Sequence, residues 1–279
     1  MKAEHKKEYF IYVPIAAALV LLIVYLSGFY EEKSGYVPDI VYFGDSLIGE
    51  CRDETSVTAF LSELLGADVF NAGFGGTGYA YTFEDARPAY TKGGYNMAAL
   101  SASILSDDYR NVRGVQIKEG STDYFAETLD ELSEIDFERV DSIIMGHGLN
   151  DYGAGVPIYD NGNHYDTHTF EGAIRTSVRN IRKTNPDIRI IMVTPAYCWF
   201  IEEELTCEEF NAGYGVLEDY VECEYRLAEE LNFELIDIYH GLYETSEYED
   251  WMKYTNDGLH PNEYARRLMA ERIFEGMDK

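Results

Sequence analysis

The sequence predicts an α/β domain: a doubly wound, five-stranded parallel sheet with helices on both faces, preceded by one transmembrane helix. Three observations carry this. Five short runs rich in β-branched and aromatic residues alternate with amphipathic helical stretches, which is the pattern of a parallel sheet covered on both sides. The distinctive polar stretches fall just after strands, where such sheets place their sites. An uncharged stretch of about twenty residues stands before all of this.

That stretch comes first in the chain. Residues 1–8 carry Lys2, Lys6 and Lys7, and residues 9–28 carry no charge. At about 1.5 Å rise each, twenty apolar residues span the roughly 30 Å hydrocarbon core. Tyr9, Phe10, Tyr12 and Tyr25 sit towards its ends, where aromatic belts belong. A cleaved signal peptide would have a shorter apolar run and a small-residue cleavage site, whereas residues 25–30 read Tyr-Leu-Ser-Gly-Phe-Tyr. The expectation is an uncleaved single-pass anchor at 9–28, a cytoplasmic tail at 1–8, a linker at 29–38 and an extracytoplasmic domain from 39 to 279. The three lysines set that orientation.

The first strand, Ile40 to Phe43, runs into Gly44-Asp45-Ser46-Leu47. A helix is predicted from Thr55 to Leu65, with Val57, Phe60, Leu61, Leu64 and Leu65 on one face. A strand, a tight turn bearing a serine and then a helix is a good way to expose a hydroxyl beneath backbone N–H groups. The bland alternative is an N-cap serine in an ordinary turn. Asp68 to Phe70 reads as the second strand and leads into the glycine-rich Asn71–Gly78 loop. Residues 79–123 are the least periodic part and read as an elaborated loop beside the site, with one helix over Asn96–Leu105.

Phe125 to Leu132 is predicted helical. Val140 to Met145 is the third strand, ending in Gly146-His147-Gly148-Leu149-Asn150-Asp151. Residues 152–168 form a polar loop holding His164 and His168. A helix over Phe170–Lys183 and a strand over Ile188–Thr194 follow. Residues 195–212 are acidic and irregular. A helix over Val216–Leu231 and a fifth strand over Phe233–Ile238 lead to Asn256-Asp257-Gly258-Leu259-His260-Pro261-Asn262. The last helix runs from Glu263 to about Glu275, with Pro261 suited to its start.

Composition excludes several classes. The 279 residues carry a formal net charge of −29, which repels nucleic-acid phosphates and disfavours docking on anionic lipid. No Cys-x-x-Cys pair exists among Cys51, Cys198, Cys207 and Cys223, so no zinc site is expected. Cys198 and Cys207 are close enough in sequence to pair; free buried thiols are the alternative. His164 and His168 have metal-ligand spacing for a helix, but Asp160, Asn161, Gly162 and Asn163 around them read as a loop. No metal and no cofactor is called for. The 24 tyrosines are mostly structural in this reading, with a minority free to line a sugar-binding groove.

Gly44-Asp45-Ser46-Leu47, the loop glycine after Asn71, Gly148-Leu149-Asn150-Asp151 and Asp257-Gly258-Leu259-His260-Pro261, in that order and each after a strand, resemble the SGNH (GDSL) hydrolase family. The resemblance spans roughly residues 37–277 and implies an SGNH/flavodoxin-like fold. It implies Ser46 as nucleophile, His260 as general base and Asp257 as the group that orients His260. It also implies an oxyanion hole from the Ser46 N–H, the Gly76 N–H and the Asn150 amide. Gly76 is chosen by counting from Asn71, in competition with Gly73, Gly75 and Gly78. Asp151 reads as a buttress of the loop. His147 departs from the family's usual apolar, aromatic or small residue, and reads as packed or solvent-facing.

The chemistry agrees with these roles. A serine hydroxyl needs a neutral imidazole to accept its proton, and a carboxylate to hold the imidazole tautomer. The expected activity is hydrolysis of short acyl esters, acetyl above all, on small molecules or glycans, through an acyl-enzyme. The alternatives are a lipase or acyl-thioesterase of the same fold, or a non-catalytic glycan-binding protein.

Overall fold

A computed structural model describes residues 35–82, 93–115, 123–245 and 251–277. The tail and anchor expected at 1–28 and most of the linker lie outside these residues. Among the described residues no helix is long and apolar enough to cross a membrane. The described residues from Val37 onward form one compact unit.

Its centre is a five-stranded parallel sheet in the order β2-β1-β3-β4-β7. The strands are β1 (Ile40–Gly44), β2 (Val69–Gly73), β3 (Ser142–Gly146), β4 (Arg189–Val193) and β7 (Glu234–Ile236). Every residue of β1 is buried. The central strands read as near-continuous apolar runs because both faces of the sheet are covered. Order reverses beside β1, which is where a doubly wound sheet opens a crevice at its carboxyl edge.

The helices are α1 (Ser46–Gly49), α2 (Val57–Leu65), α3 (Met97–Ser106), α4 (Arg110–Arg113), α5 (Phe125–Ser133), α6 (Leu149–Ala154), α7 (Phe170–Thr184), α8 (Leu217–Leu231), α9 (Trp251–Tyr254) and α10 (Glu263–Met277). α2 packs on α10, and α3 packs on α7, which in turn meets α8. Side chains fix several starts. Ser56 Oγ accepts from Ala59 N at 3.1 Å, Asn96 Oδ1 from Ala99 N at 2.8 Å and Thr169 Oγ1 from Gly172 N at 3.1 Å.

The five predicted strands and the longer helices are all present, with ends shifted by a few residues. Two regions differ. The segment expected to be irregular, 195–212, contains an antiparallel hairpin of β5 (Trp199–Phe200) and β6 (Leu205–Thr206). Cys198 and Cys207 face one another at its base as free thiols, with Cys207 N donating to the Cys198 carbonyl at 3.0 Å.

Within the stretch expected to be irregular, 79–123, the described residues 79–82 and 93–115 hold much of the core rather than an open loop. Tyr79, Tyr95 and Tyr109 are buried, and Tyr79 donates its hydroxyl to the Met145 carbonyl at 3.1 Å. The Tyr79 ring packs against His147 and Phe170 and the Tyr95 ring against Phe74 and Phe125, so these buried rings cannot line an open groove. Tyr90 lies outside the described residues. The exposed tyrosines include Tyr159 and Tyr165, in the loop before α7.

Candidate active site

The site is built at the carboxyl edge. Gly44, Gly73 and Gly146 stand in register at the ends of β1, β2 and β3. After Gly44 the chain turns sharply into α1 and lies back across the end of β2. The approach is so close that a Cβ on Gly73 would sit 2.5 Å from Gly49 N. Only glycine permits that crossing, and it raises Ser46 at the first position of α1.

Asp45 caps α1, its Oδ1 accepting from Leu47 N at 3.0 Å. It is almost fully buried. Burial pushes its carboxyl up to about 7, against the pull of the Leu47 and Asn150 bonds and the His260 charge.

Ser46 Oγ lies 3.0 Å from His260 Nε2, across 214 residues of chain. His260 Nδ1 lies 2.6 Å from Asp257 Oδ2. The other oxygen of Asp257 accepts from Leu259 N at 3.0 Å and His260 N at 2.8 Å, so one carboxylate both shapes the turn and holds the ring. Gly258 fits the turn at φ +89° and accepts at its carbonyl from Trp199 N at 2.9 Å. The unpredicted hairpin is therefore what supports the histidine turn.

Burial opposes charge on His260. The Asp257 hydrogen bond and the charges of Glu50, Asp257 and Asp45 outweigh it and hold the imidazole above its ordinary 6.5. For Asp257 burial is likewise outweighed, by bonds from His260 and Leu259, and its carboxyl lies below the usual range.

The glycine loop reaches the same edge. Gly73 N donates to Asn71 Oδ1 at 3.0 Å, and Gly75 N donates to the Tyr124 hydroxyl at 2.9 Å. Those two N–H groups are committed. Gly78 abuts the Asp151 carboxylate. Gly76, at φ +74° and half-buried, is the loop glycine that these contacts leave for the position counted from Asn71.

Asn150, on α6, donates its amide to the Thr77 carbonyl at 3.0 Å and to Asp45 Oδ2 at 3.3 Å. The Gly-Asp-Ser turn, the glycine loop and the Asn150 helix thus converge. In this arrangement both amide hydrogens serve the protein, and an incoming oxyanion would take the place of one acceptor.

Asp151 accepts from Tyr79 N at 2.8 Å and Ala80 N at 2.9 Å, as a buttress should. Its burial pushes its carboxyl up to about 7. His147 is packed: it is 1% exposed, 5.1 Å from the Tyr79 ring, and pushed down to about 3 by burial. His164 and His168 sit in a loop, each against its own carboxylate, Glu171 at 3.5 Å and Asp166 at 3.2 Å. Three contributors escaped the sequence reading. Asp45 bridges to Asn150, Tyr124 fixes Gly75, and Glu50 places Oε2 3.7 Å from His260 Nε2.

A serine, an imidazole and a carboxylate in hydrogen-bonded sequence at the edge of a doubly wound parallel sheet define an α/β serine hydrolase. The chain belongs to the GDSL-like lipase/acylhydrolase family, whose model matches residues 42–268, and it is an SGNH-type ester hydrolase. No curated protein matches the sequence. Solved structures with the same fold include a protein from Lactobacillus plantarum (17% identity, TM-score 0.61, covering 88% of this chain and 97% of that one). A possible lipase from Chitinophaga pinensis is similar at 15% identity and TM-score 0.57, covering 86% and 98%. A mutant of an acetyl-xylooligosaccharide esterase from Geobacillus is similar at 16% identity and TM-score 0.51, covering 88% and 97%.

Proposed function

We propose that this ester hydrolase removes short acyl groups, acetyl above all, from carbohydrate, with Ser46 as nucleophile, His260 as general base and Asp257 as its orienting carboxylate. The observation that carries the roles is the continuous contact from Asp257 Oδ2 through His260 to Ser46 Oγ, at 2.6 and 3.0 Å.

Neutral His260 takes the Ser46 proton at Nε2 as Oγ attacks the ester carbonyl. Asp257 holds Nδ1–H and stabilises the imidazolium. The Ser46 N–H, the Gly76 N–H and the Asn150 amide receive the oxyanion, with Asn150 yielding its longer bond to Asp45. His260 then returns the proton from Nε2 to the departing alcohol. Water repeats the sequence on the acyl-enzyme.

The acetyl and carbohydrate parts rest on the polar groups around Ser46: Glu50, Asn150, Asp257 and His260. The esterase of the Geobacillus structure, by its description, acts on such a substrate. Fluorophosphonate labelling tests the roles. The wild type should label at Ser46, Ser46→Ala should not label, and Asp257→Ala should label more slowly. Undiminished labelling of Ser46→Ala would overturn the assignment. Ester turnover should rise with pH through a midpoint above 6.5, because His260 must be neutral to act and its charge is favoured in the fold.

The placement proposed is membrane-anchored through 9–28, with the domain outside. Protease added to intact cells should then reach the domain, and complete protection would overturn that orientation.

A further inference from the structure

The mouth of the site carries a carboxylate that the hydrolytic relay does not require. Glu50 follows α1 directly, and its backbone N–H donates to the Ser46 carbonyl at 3.2 Å, so its position is tied to that of the serine. Its side chain is 42% exposed. Oε2 stands 3.7 Å from His260 Nε2, the same nitrogen that faces Ser46 Oγ. Its other oxygen would lie 3.4 Å from a Cβ on Gly75. The carboxylate therefore bridges the mouth from the imidazole to the glycine loop.

Among the described residues no lysine or arginine forms an ion pair with it. Arg52, two residues on, is turned away, donating to the Asn71 carbonyl at 2.9 Å and resting 5.0 Å from the Tyr124 ring centroid. The groups whose charges act on His260 are Asp257 from its own turn and Asp45 and Glu50 from the serine turn, all acidic. Nε2 is also the atom that returns a proton to the leaving alcohol. A charge 3.7 Å from it faces the alcohol part of the ester more directly than the acyl part.

Resting on the esterase reading, we infer that Glu50 is a specificity-determining residue that selects by the charge of the alcohol, favouring neutral and ammonium-bearing alcohols and rejecting carboxylate- or phosphate-bearing ones. On a glycan this means neutral sugars and amino sugars in preference to uronates or phosphorylated sugars. The carboxylate also favours the imidazolium that forms as Ser46 loses its proton, so the same side chain raises the basicity of His260.

The test uses three acetate esters of one size: 3-acetoxytoluene, 3-acetoxybenzoate and 3-acetoxy-N,N,N-trimethylanilinium. In the wild type kcat/KM should be highest for the cationic ester and lowest for the anionic one. Glu50→Gln should cut the cation-to-anion ratio about tenfold, the scale of losing one charge a few ångströms from another near a surface. Glu50→Lys should invert the ratio. Added salt should shrink it in the wild type. Glu50→Gln should also move the acidic limb of the neutral-ester profile to lower pH. A merely structural role would move neither the ratio nor the limb. An unchanged ratio in both variants, with neutral-ester turnover and labelling of Ser46 intact, would overturn the assignment of Glu50 alone. Absence of any Ser46-dependent turnover or labelling in the wild type would overturn the esterase reading, and this inference with it.

Discussion

Asn150 donates its side-chain amide to Asp45 Oδ2 at 3.3 Å across 105 residues of chain. This is a long bond to a buried carboxyl that caps the Ser46 helix, so it links the Asn150 helix to the Ser46 turn. In the proposed mechanism this longer bond yields to the oxyanion, while the 3.0 Å bond to the Thr77 carbonyl keeps the amide in place.

Asn150→Ala should therefore lower kcat by about 10²–10³ with little change in KM, as for the loss of one oxyanion donor. Steady-state kinetics on a neutral acetate ester would check this. A change confined to KM would point instead to substrate positioning. Asp45 should remain a helix cap in that variant, since the Leu47 bond uses its other oxygen.

The histidine turn makes a second prediction. Gly258 has φ +89°, and a Cβ there would sit 2.4 Å from the Trp199 carbonyl oxygen. Gly258→Ala must push the hairpin and the Asp257–His260 turn apart. The expected result is a fall in kcat of about 10²-fold, the scale of a 1 Å misplacement of reacting groups. Far-UV circular dichroism should stay native, because the sheet and long helices are not involved. Wild-type kcat in Gly258→Ala would show that the hairpin does not position the turn.

Much of this was readable in the chain. Gly44-Asp45-Ser46 and Asn150 each closely follow a strand, and in a parallel sheet the carboxyl ends of the strands share one edge, so linear order carries spatial convergence; Asp257–His260 returns to that edge only after α9. The hairpin was not readable. Its strands have two residues each, too short for any alternation to register, and Glu202–Glu204 between them looks like solvated loop. The burial of Tyr79, Tyr95 and Tyr109 was hidden because tyrosine suits a core and a sugar platform equally. Glu50 was hidden for another reason: an exposed carboxylate just past a motif resembles ordinary surface until its distance to His260 is known.

Glu224 makes a prediction about stability. It lies on α8 fully buried, 3.5 Å from where a Cβ of Gly148 would be, and neither of its carboxyl oxygens has a hydrogen-bond partner among the described residues. Burial, with the charges of Asp151 and Asp237 adding to it, raises its pKa well above the ordinary 4.5. The folded state then binds a proton that the unfolded state releases, so this residue's contribution falls as pH rises from about 4.5 towards the folded value. Glu224→Gln should remove that slope. Its stability advantage over the wild type should grow by up to about 1.4 kcal/mol per pH unit across that window. Urea unfolding at pH 5, 6.5 and 8 measures this, and a gap that stays constant with pH would sink the idea.

The last prediction concerns acyl length. A groove for a long chain needs a continuous apolar wall, and each CH₂ it buries gains roughly 0.8 kcal/mol, about fourfold in binding. A lipase-like or thioesterase-like site should thus show kcat/KM climbing steadily with chain length. Groups placed around Ser46 include Glu50, Asn150, Asp257 and His260, which offer hydrogen bonds and charge rather than such a wall. The expected order on a panel of 4-nitrophenyl esters is acetate first, a fall by butyrate or hexanoate, and little turnover of octanoate and beyond. All of it should vanish in Ser46→Ala. A monotonic rise out to octanoate would replace the carbohydrate-esterase reading with the lipase or thioesterase one. It would require the apolar wall to come from residues other than these four.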